Sequence, residues 1–193
     1  GPDLFWVSAQ RAAQFSSEGA LLDITDRLNA SNHAAAQLDD YYDASLAPFT
    51  HDGKVFGLPW LQQPVMLYVN KALFDEAGVD YPDESWTWNE FLDAAKKLTK
   101  DANGNTADAA GFDANNVVQW GFTLNGWPPS QMFIWQNGGE VITEDMSESP
   151  IDSPEAIEAL KFYADLVNGP VTPSQQVIRD RGFDQMFRNG QVA

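Results

Sequence analysis

Residues 51–60 read His-Asp-Gly-Lys-Val-Phe-Gly-Leu-Pro-Trp, and residues 67–79 read Leu-Tyr-Val-Asn-Lys-Ala-Leu-Phe-Asp-Glu-Ala-Gly-Val. Asp52-Gly53 predicts a tight hairpin turn, because glycine accepts the positive φ that such turns need. Strands are predicted on either side of the Leu-Pro segment, over residues 54–58 and 65–69. Asn70 then predicts the N-cap of a helix that ends at Gly78. This succession of turn, strand, strand and capped helix is the most informative pattern in the chain.

Further elements are predicted on both sides of that stretch. The short apolar run Asp3–Val7 predicts a buried strand, and Trp120–Leu124 predicts another. Thr87-Trp88-Asn89-Glu90 is a capping box that begins a helix. A helix is also predicted from Ser153-Pro154, with proline in its first turn and a buried stripe between residues 156 and 167. Residues 132–136 fit either a helix or a strand, and the remaining predicted helices cover residues 10–19, a short segment near residues 26–28, and residues 182–188.

The composition excludes several classes of function. The chain has 193 residues, of which 11 are basic and 28 acidic, for a net charge of -17. Such a negative field repels phosphate backbones, so nucleic acid is not an expected partner. There are no cysteines, which excludes disulfides, thiolate catalysis and cysteine-bound zinc. No apolar run approaches the ~20 residues that a membrane-spanning helix needs.

The order and spacing of these motifs resemble the bacterial extracellular solute-binding proteins of ABC sugar importers, the maltose-binding-protein-like family. Each motif is weak by itself, and their shared order carries the resemblance. Besides the opening stretch, the motifs are Pro2-Asp3-Leu4-Phe5-Trp6, Thr87-Trp88-Asn89-Glu90-Phe91, Asn137-Gly138-Gly139, Ser153-Pro154-Glu155-Ala156 and Phe187-Arg188-Asn189-Gly190-Gln191-Val192-Ala193.

The resemblance implies an α/β fold of the periplasmic-binding-protein type, with two lobes of mainly parallel sheets joined at a hinge near residues 60–64. Residues 1–62 are then expected to form part of the N-terminal lobe and residues 63–193 most of the second lobe, truncated at its C-terminal end. Members of the family are about twice as long. The chain is therefore expected to be a fragment, in which unpaired strand edges favour self-association.

The function implied by the resemblance is to bind a carbohydrate in the interlobe cleft and to deliver it to the membrane subunits of an ABC importer. The ligand touches both lobes only in the closed form, so it shifts the population towards closure. No chemistry on the ligand, no catalytic residue, no cofactor and no metal is expected. The implied location is periplasmic or extracellular, including attachment to the cell surface by a lipid anchor.

Five candidate ligand-binding residues lie in the predicted first lobe. Trp6 ends the first predicted strand, where an indole can stack on the apolar face of a sugar ring, although it also suits a core position. Gln10 matches a polar contact position of the family. Trp60, Gln62 and Gln63 lie at the expected hinge, where the amides suit hydroxyl recognition. Gln63 matches a contact position that is acidic in maltose-binding relatives. The alternative for Gln10 is a surface residue without a partner. The alternative for residues 60–63 is a linker with no ligand role.

Three more candidates follow the predicted strand at Trp120. Asn125 and Trp127 lie in a loop that faces the cleft in the family, and Pro128-Pro129 holds this loop rigid. Gln131 follows it. By contrast, Trp135 lies in an apolar run and is expected to be a core residue.

The sequence offers weaker support for a metal or for catalysis. Asp101-Ala102-Asn103-Gly104-Asn105 resembles the start of a calcium loop, but the sixth position is Thr106 and the twelfth is Phe112, so the bidentate ligand is missing. The alternative function is a glycoside hydrolase or another carbohydrate-active enzyme, which needs two carboxylates about 5–10 Å apart. A third alternative is an interaction module that uses exposed aromatic residues. The residues do not indicate which sugar is bound.

Overall fold

The computed structural model describes residues 3–61, 63–124, 126 and 129–193, except for the side chain of Gln10. Contacts within the chain divide it into two compact units, Gly1–Val65 and Met66–Ala193. No helix among the described residues combines the length and the apolar character that a membrane crossing requires.

The first unit is built from short helices and one hairpin. Helix α1 packs against the 3-10 turn Ala47–Phe49 and against the first strand of the hairpin. The backbone of Val55 is fixed on both sides, because its N–H donates to Thr25 Oγ1 at 2.9 Å and its carbonyl accepts from the N–H of Ile24 at 2.9 Å. The elements are α1 (Ala9–Ser17), α2 (Thr25–Asn29), α3 (Asp43–Leu46), β1 (Thr50–His51) and β2 (Lys54–Val55), with further 3-10 turns at Ala34–Ala36 and Leu38–Asp40.

The predicted hairpin at Asp52-Gly53 is confirmed. Strands β1 and β2 pair antiparallel, with His51 opposite Lys54. Both turn residues have positive φ, 49° at Asp52 and 73° at Gly53. Two successive left-handed residues match the twist of the flanking strands, which is why Asp-Gly is a reliable hairpin sequence. The second strand is shorter than predicted, because pairing stops at Val55.

Two of the predicted strands, over residues 3–7 and 65–69, are absent, and these predictions were wrong. Residues 3–7 form neither a strand nor a buried segment, and Leu4 is 91% exposed. Residues 65–69 also lack strand structure, and Tyr68 is 78% exposed. Both segments have the apolar composition of buried strands, but a strand also needs a paired neighbour, and among the described residues neither has one.

The second unit is mainly helical. Its longest helix, α7, begins at Pro154 behind the Ser153 cap and packs against α6. Residues 132–136 therefore belong to a helix. The predicted helix over residues 182–188 is preceded by a separate short helix. The elements are α4 (Lys71–Ala77), α5 (Trp88–Leu98), β3 (Lys100–Asp101), β4 (Val117–Gln119), α6 (Ser130–Gln136), α7 (Pro154–Asn168), α8 (Gln175–Arg181) and α9 (Phe183–Arg188).

The main core of this unit lies between α5, α6 and α7. The ring of Trp88 stacks on Phe162 with centroids 4.3 Å apart and an interplanar angle of 7°. Trp88 also donates from Nε1 to Gln136 Oε1 at 3.1 Å, which ties the start of α5 to the end of α6. Trp88 is thus a packing residue of this core. The buried core residues are Ala95, Phe133, Ile134, Ala156, Ala159, Leu166 and Val171.

Helix ends follow the sequence patterns closely. Thr87 accepts from the N–H of Asn89 and Glu90 reaches back to the N–H of Thr87, which confirms the capping box. Gly78 ends α4 in the left-handed conformation, as predicted. Asn70 occupies the N-cap of α4, but its side chain makes no capping hydrogen bond. Its backbone N–H instead donates to the carbonyl of Ala193 at 2.7 Å.

The mainly parallel sheets expected from the resemblance do not appear among the described residues. In this part of the chain, the two sheets are antiparallel pairs, β1 with β2 and β3 with β4. Parallel pairing within the described ranges occurs only as an isolated bridge between Trp120 and Val192. The strand predicted over residues 120–124 is absent as well, because β4 ends at Gln119 and only Trp120 pairs, in this isolated bridge. Trp120 itself is buried, as expected, and packs with Met186 and Val192.

One glycine allows α5 to lie directly against the chain that follows β4. A Cβ placed on Gly121 would lie 2.0 Å from the carbonyl oxygen of Ala95. The N–H of Gly121 donates to Thr99 Oγ1 at 2.9 Å, and the same hydroxyl donates to the carbonyl of Ala95 at 2.7 Å. This close approach holds the segment leading to the predicted ligand loop on the end of α5.

Candidate functional site

Trp6 and Trp60 are brought together in the first unit. Their rings stack with centroids 4.5 Å apart and an interplanar angle of 29°. Trp6 is 79% exposed and Trp60 is 69% exposed, so the outer faces of both rings remain in water. Neither residue is therefore a core residue. Two large aromatic rings held together in solvent form an apolar surface of the kind that binding sites use.

The backbone segments that carry the two indoles are both attached to the first unit. Phe5, the neighbour of Trp6, meets Phe15 of α1 edge to face with centroids 6.3 Å apart. On the other side, the N–H of Phe56 donates to the carbonyl of Phe49 at 2.9 Å. Gly57 lies so close to the Phe49 ring that a Cβ there would be 3.1 Å from it. Both indoles are thus presented by anchored segments.

The other predicted residues of the first unit are less informative. Gln63 is exposed. Gln10 lies on α1, but its side chain is outside the described part of the chain. Gln62 also lies outside the described residues.

In the second unit, the predicted loop is described only in part. Asn125 and Trp127 lie outside the described residues, while Gly126 between them has a φ of 88°. Gln131 lies in the first turn of α6 and is exposed. Leu124, immediately before the loop, is buried and fixes its entry point.

Trp135 is not a core residue, and that prediction was wrong. Its side chain is 61% exposed, whereas its neighbours Phe133 and Ile134 are buried. Helical periodicity explains this result, because Trp135 lies four residues after Gln131 and shares its outward face. The apolar run hid this periodicity, although the polar residue at position 131 marks the exposed face.

The loop that resembles a calcium site is organised by hydrogen bonds to a buried carboxylate. Asp101 is 1% exposed and accepts from the backbone N–H of Asn103, Asn105 and Asp113, and from the side-chain amide of Asn105. Burial raises its pKa, but these donors, led by the N–H of Asp113, outweigh burial and lower the pKa of Asp101 to about 2. The carboxylate therefore anchors a turn. Among the described residues, no group of three or more potential ligands is placed to hold a metal ion.

A second acidic loop shows the same kind of local order. Asp145 accepts from the hydroxyls of Thr143 and Ser147, at 2.6 and 2.7 Å, and from the N–H of Ser147. These hydrogen bonds lower the pKa of Asp145 to about 2, and the Thr143 hydroxyl has the largest effect, ahead of the Ser147 hydroxyl and N–H. These bonds lie within five residues of sequence and stabilise an Asx turn.

Comparison with known proteins identifies the family. The sequence pattern described as "Bacterial extracellular solute-binding protein" matches residues 1–193. The chain belongs to this family. Its members bind solutes, are non-enzymatic and deliver their ligands to ABC transporters. The hydrolase alternative is therefore set aside.

Individual relatives share the fold of this chain and are more than twice as long. The ABC substrate-binding protein from Listeria monocytogenes in complex with cycloalternan is 28% identical with a TM-score of 0.68, over 94% of this chain and 43% of that one. A solute-binding protein from Thermotoga lettingae bound with alpha-D-tagatose is 27% identical with a TM-score of 0.64, over 93% of this chain and 43% of that one. The arabinooligosaccharide-binding protein of Halalkalibacterium halodurans is 24% identical over 100% of this chain and 39% of its own length. The chain thus spans about two-fifths of these proteins.

Proposed function

We propose that this protein binds a carbohydrate in a cleft between two lobes and hands it to the membrane subunits of an ABC importer. Residues 1–62 contribute to the first lobe and residues 63–193 to the second, with a hinge near residues 60–64. The division of contacts after Val65 supports this arrangement. The protein acts outside the cytoplasmic membrane, in the periplasm or at the cell surface, where a lipid anchor would hold it.

The observation that carries the carbohydrate proposal is the exposed stack of Trp6 and Trp60. Sugar rings have apolar C–H faces that pack on indole, and amides nearby select the hydroxyl pattern. Gln63 is an exposed amide on the chain segment that follows Trp60. Further support comes from relatives that bind sugars, namely a protein in complex with cycloalternan, one bound with alpha-D-tagatose and an arabinooligosaccharide-binding protein.

The remaining predicted ligand contacts are part of the same proposal. Gln10 and Gln62 add amides on the first lobe. Asn125, Trp127 and Gln131 supply an amide, a second aromatic surface and a further amide on the second lobe. Closure around the ligand would then bring both sets of contacts to one sugar, and the importer would recognise the closed form.

A thermal-shift screen across a sugar panel tests this function. The 193-residue chain, and in parallel any longer protein that contains it, is melted with malto-oligosaccharides, xylo-oligosaccharides, disaccharides and polyols. A ligand at 100 times its dissociation constant should add ~2.7 kcal/mol to the free energy of unfolding. A dissociation constant near ~1 μM would be ordinary for this task. If no member of the panel stabilises either protein, the proposal is wrong and the interaction-module alternative gains support.

A further inference from the structure

We infer that Trp6 and Trp60 act as one preformed wall: a sugar ring lies against the outer face of Trp6, while Trp60 packs behind Trp6 as a positioning residue. This inference rests on the proposed function and deepens it, because it assigns different roles to the two indoles. It also specifies the ligand class as a cyclic sugar with one apolar face, in preference to an open-chain polyol.

The spacing of the rings excludes a ligand between them in this arrangement. Carbon atoms in contact are about 3.5–4.0 Å apart, so a ring held between two indoles requires planes about 7–8 Å apart. The centroids of Trp6 and Trp60 are 4.5 Å apart. Each indole already covers the inner face of the other, so a ligand can reach only their outer faces and edges.

Exposure and chain geometry assign the roles. Trp6 is the more exposed of the two indoles, at 79% against 69%. Trp60 follows Pro59, whose ring fixes its own φ, and the segment before it is tied to Phe49 through Phe56 and Gly57. The more restrained indole therefore lies behind and the more exposed one faces the ligand. A stacked partner restricts the rotamers of Trp6, which lowers the entropy lost when a sugar binds.

The flat wall favours one class of ligand. A pyranose ring presents several C–H groups on one rigid face, and this face can cover an indole without any loss of internal freedom. An open-chain polyol of the same composition lacks such a face and must freeze several rotatable bonds to imitate it. We therefore expect glucose-type units to bind at least about tenfold more tightly than the matching reduced polyols.

The experiment compares Trp60→Ala, Trp60→Phe and Trp6→Ala, with Trp135→Ala as a control that removes an exposed indole elsewhere. Dissociation constants are measured by calorimetry for the best sugar of the panel and for its reduced polyol. Far-UV circular dichroism follows the exciton couplet that two stacked indoles produce. We expect Trp60→Ala to weaken sugar binding about tenfold, Trp60→Phe to restore it to within about threefold, and Trp6→Ala to weaken it most.

The couplet distinguishes a wall from a sandwich. It should be absent in Trp60→Ala, unchanged in Trp135→Ala, and retained by the unmutated protein at saturating sugar. Loss of the couplet on saturation would mean that the ring separates the indoles, and would overturn the inference while leaving sugar binding intact. Unchanged affinity in Trp60→Ala, or equal affinity for sugar and polyol, would overturn it in the same way. Absence of binding by any sugar would overturn both this inference and the proposed function.

Discussion

At the scale of single residues, Asp101 organises a polar loop. The sequence shows the likeness of this loop to a calcium site but not its hydrogen bonds. The carboxylate of Asp101 is buried and accepts four N–H donors contributed by Asn103, Asn105 and Asp113. A buried carboxylate without these donors would be costly, so loop and side chain stabilise each other. The spacing of Asp101, Asn103 and Asn105 that resembles a metal loop is here the spacing of a hydrogen-bonded turn.

Replacing Asp101 should change the acid dependence of stability. Because its pKa is lower in the folded protein than the ordinary 3.8, the folded state binds fewer protons. Its contribution is therefore complete above about pH 4 and is lost as the pH falls towards about 2. We expect Asp101→Asn to lower the melting temperature at pH 7 and to flatten its fall between pH 4 and pH 2.

Thermal unfolding followed by circular dichroism across this pH range measures the effect. Asp145 titrates in the same window, so part of the acid dependence should remain in the variant. The control is Asp152→Asn, which changes an exposed carboxylate two residues before the start of α7. Parallel curves for Asp101→Asn and the unmutated chain would contradict the role given to Asp101.

The two indoles of the candidate site show what residue types can predict. Trp6 is a ligand-contact candidate because it ends a predicted strand, and Trp60 because the family resemblance places it at the hinge. The sequence does not indicate their stacking, because more than fifty residues separate them and no local pattern encodes such a contact. The surface positions of Gln63 and Gln131 could be predicted from their polar side chains. Their roles in ligand binding remain predictions.

At the scale of secondary structure, the capped helices were predictable, whereas among the predicted strands only the hairpin at Asp52-Gly53 was confirmed. The ends of α4, α5 and α7 follow from Gly78, Thr87 with Glu90, and Ser153, because caps act within one turn of the chain. The apolar segments at residues 3–7 and 65–69 have strand composition but no strand structure. Strand formation depends on a neighbour that local sequence does not specify, which is why those predictions failed.

The close approach of α5 to the chain after β4 gives a prediction about Gly121. A methyl group there would meet the Ala95 carbonyl oxygen at 2.0 Å, and backbone cannot move aside easily. We expect Gly121→Ala to lower the free energy of unfolding by about 3 kcal/mol or more. Gly111→Ala is the matched control, since the nearest atoms to its Cβ would be those of the Asn105 side chain, at an ordinary contact distance of 3.7 Å. That variant should stay within about 0.5 kcal/mol of the unmutated chain in urea unfolding. Equal effects of both substitutions would contradict the close-approach explanation.

Helix α6 has two faces that should respond differently to truncation. Phe133 is buried against α7, where it contacts Phe162 and Tyr163, with ring centroids 6.1 and 5.1 Å away. We expect Phe133→Ala to cost about 3–5 kcal/mol, because it leaves a cavity in the main core. Trp135→Ala removes a larger ring from the exposed face of the same helix and should change stability by less than about 0.5 kcal/mol. Denaturant titration of both variants measures the contrast, and a larger loss for Trp135→Ala would show that its ring is buried in solution.

At the scale of the whole molecule, charge and exposed apolar surface oppose each other. The net charge of -17 keeps copies of the chain apart. Among the described residues, the stretch from position 60 to position 68 carries several exposed apolar side chains and no charged residue. These side chains are Trp60, Leu61, Val65, Met66, Leu67 and Tyr68. A cluster of exposed apolar side chains in an uncharged segment favours association with another chain.

We therefore expect the 193-residue chain to self-associate, and to do so more strongly as salt rises. The Debye length falls from about 10 Å at 0.1 M salt to about 3 Å at 1 M, so repulsion between copies weakens while apolar contact does not. Sedimentation velocity at both salt concentrations measures the association. The double variant Met66→Gln with Leu67→Gln should remain more monomeric than the unmutated chain at 1 M salt. Ile142→Gln with Met146→Gln removes two exposed apolar side chains elsewhere and should associate as strongly as the unmutated chain.

If all three chains are monomeric at both salt concentrations, the net charge outweighs the exposed stretch and this prediction is wrong. If both double variants suppress association equally, total apolar exposure rather than the stretch between positions 60 and 68 drives it.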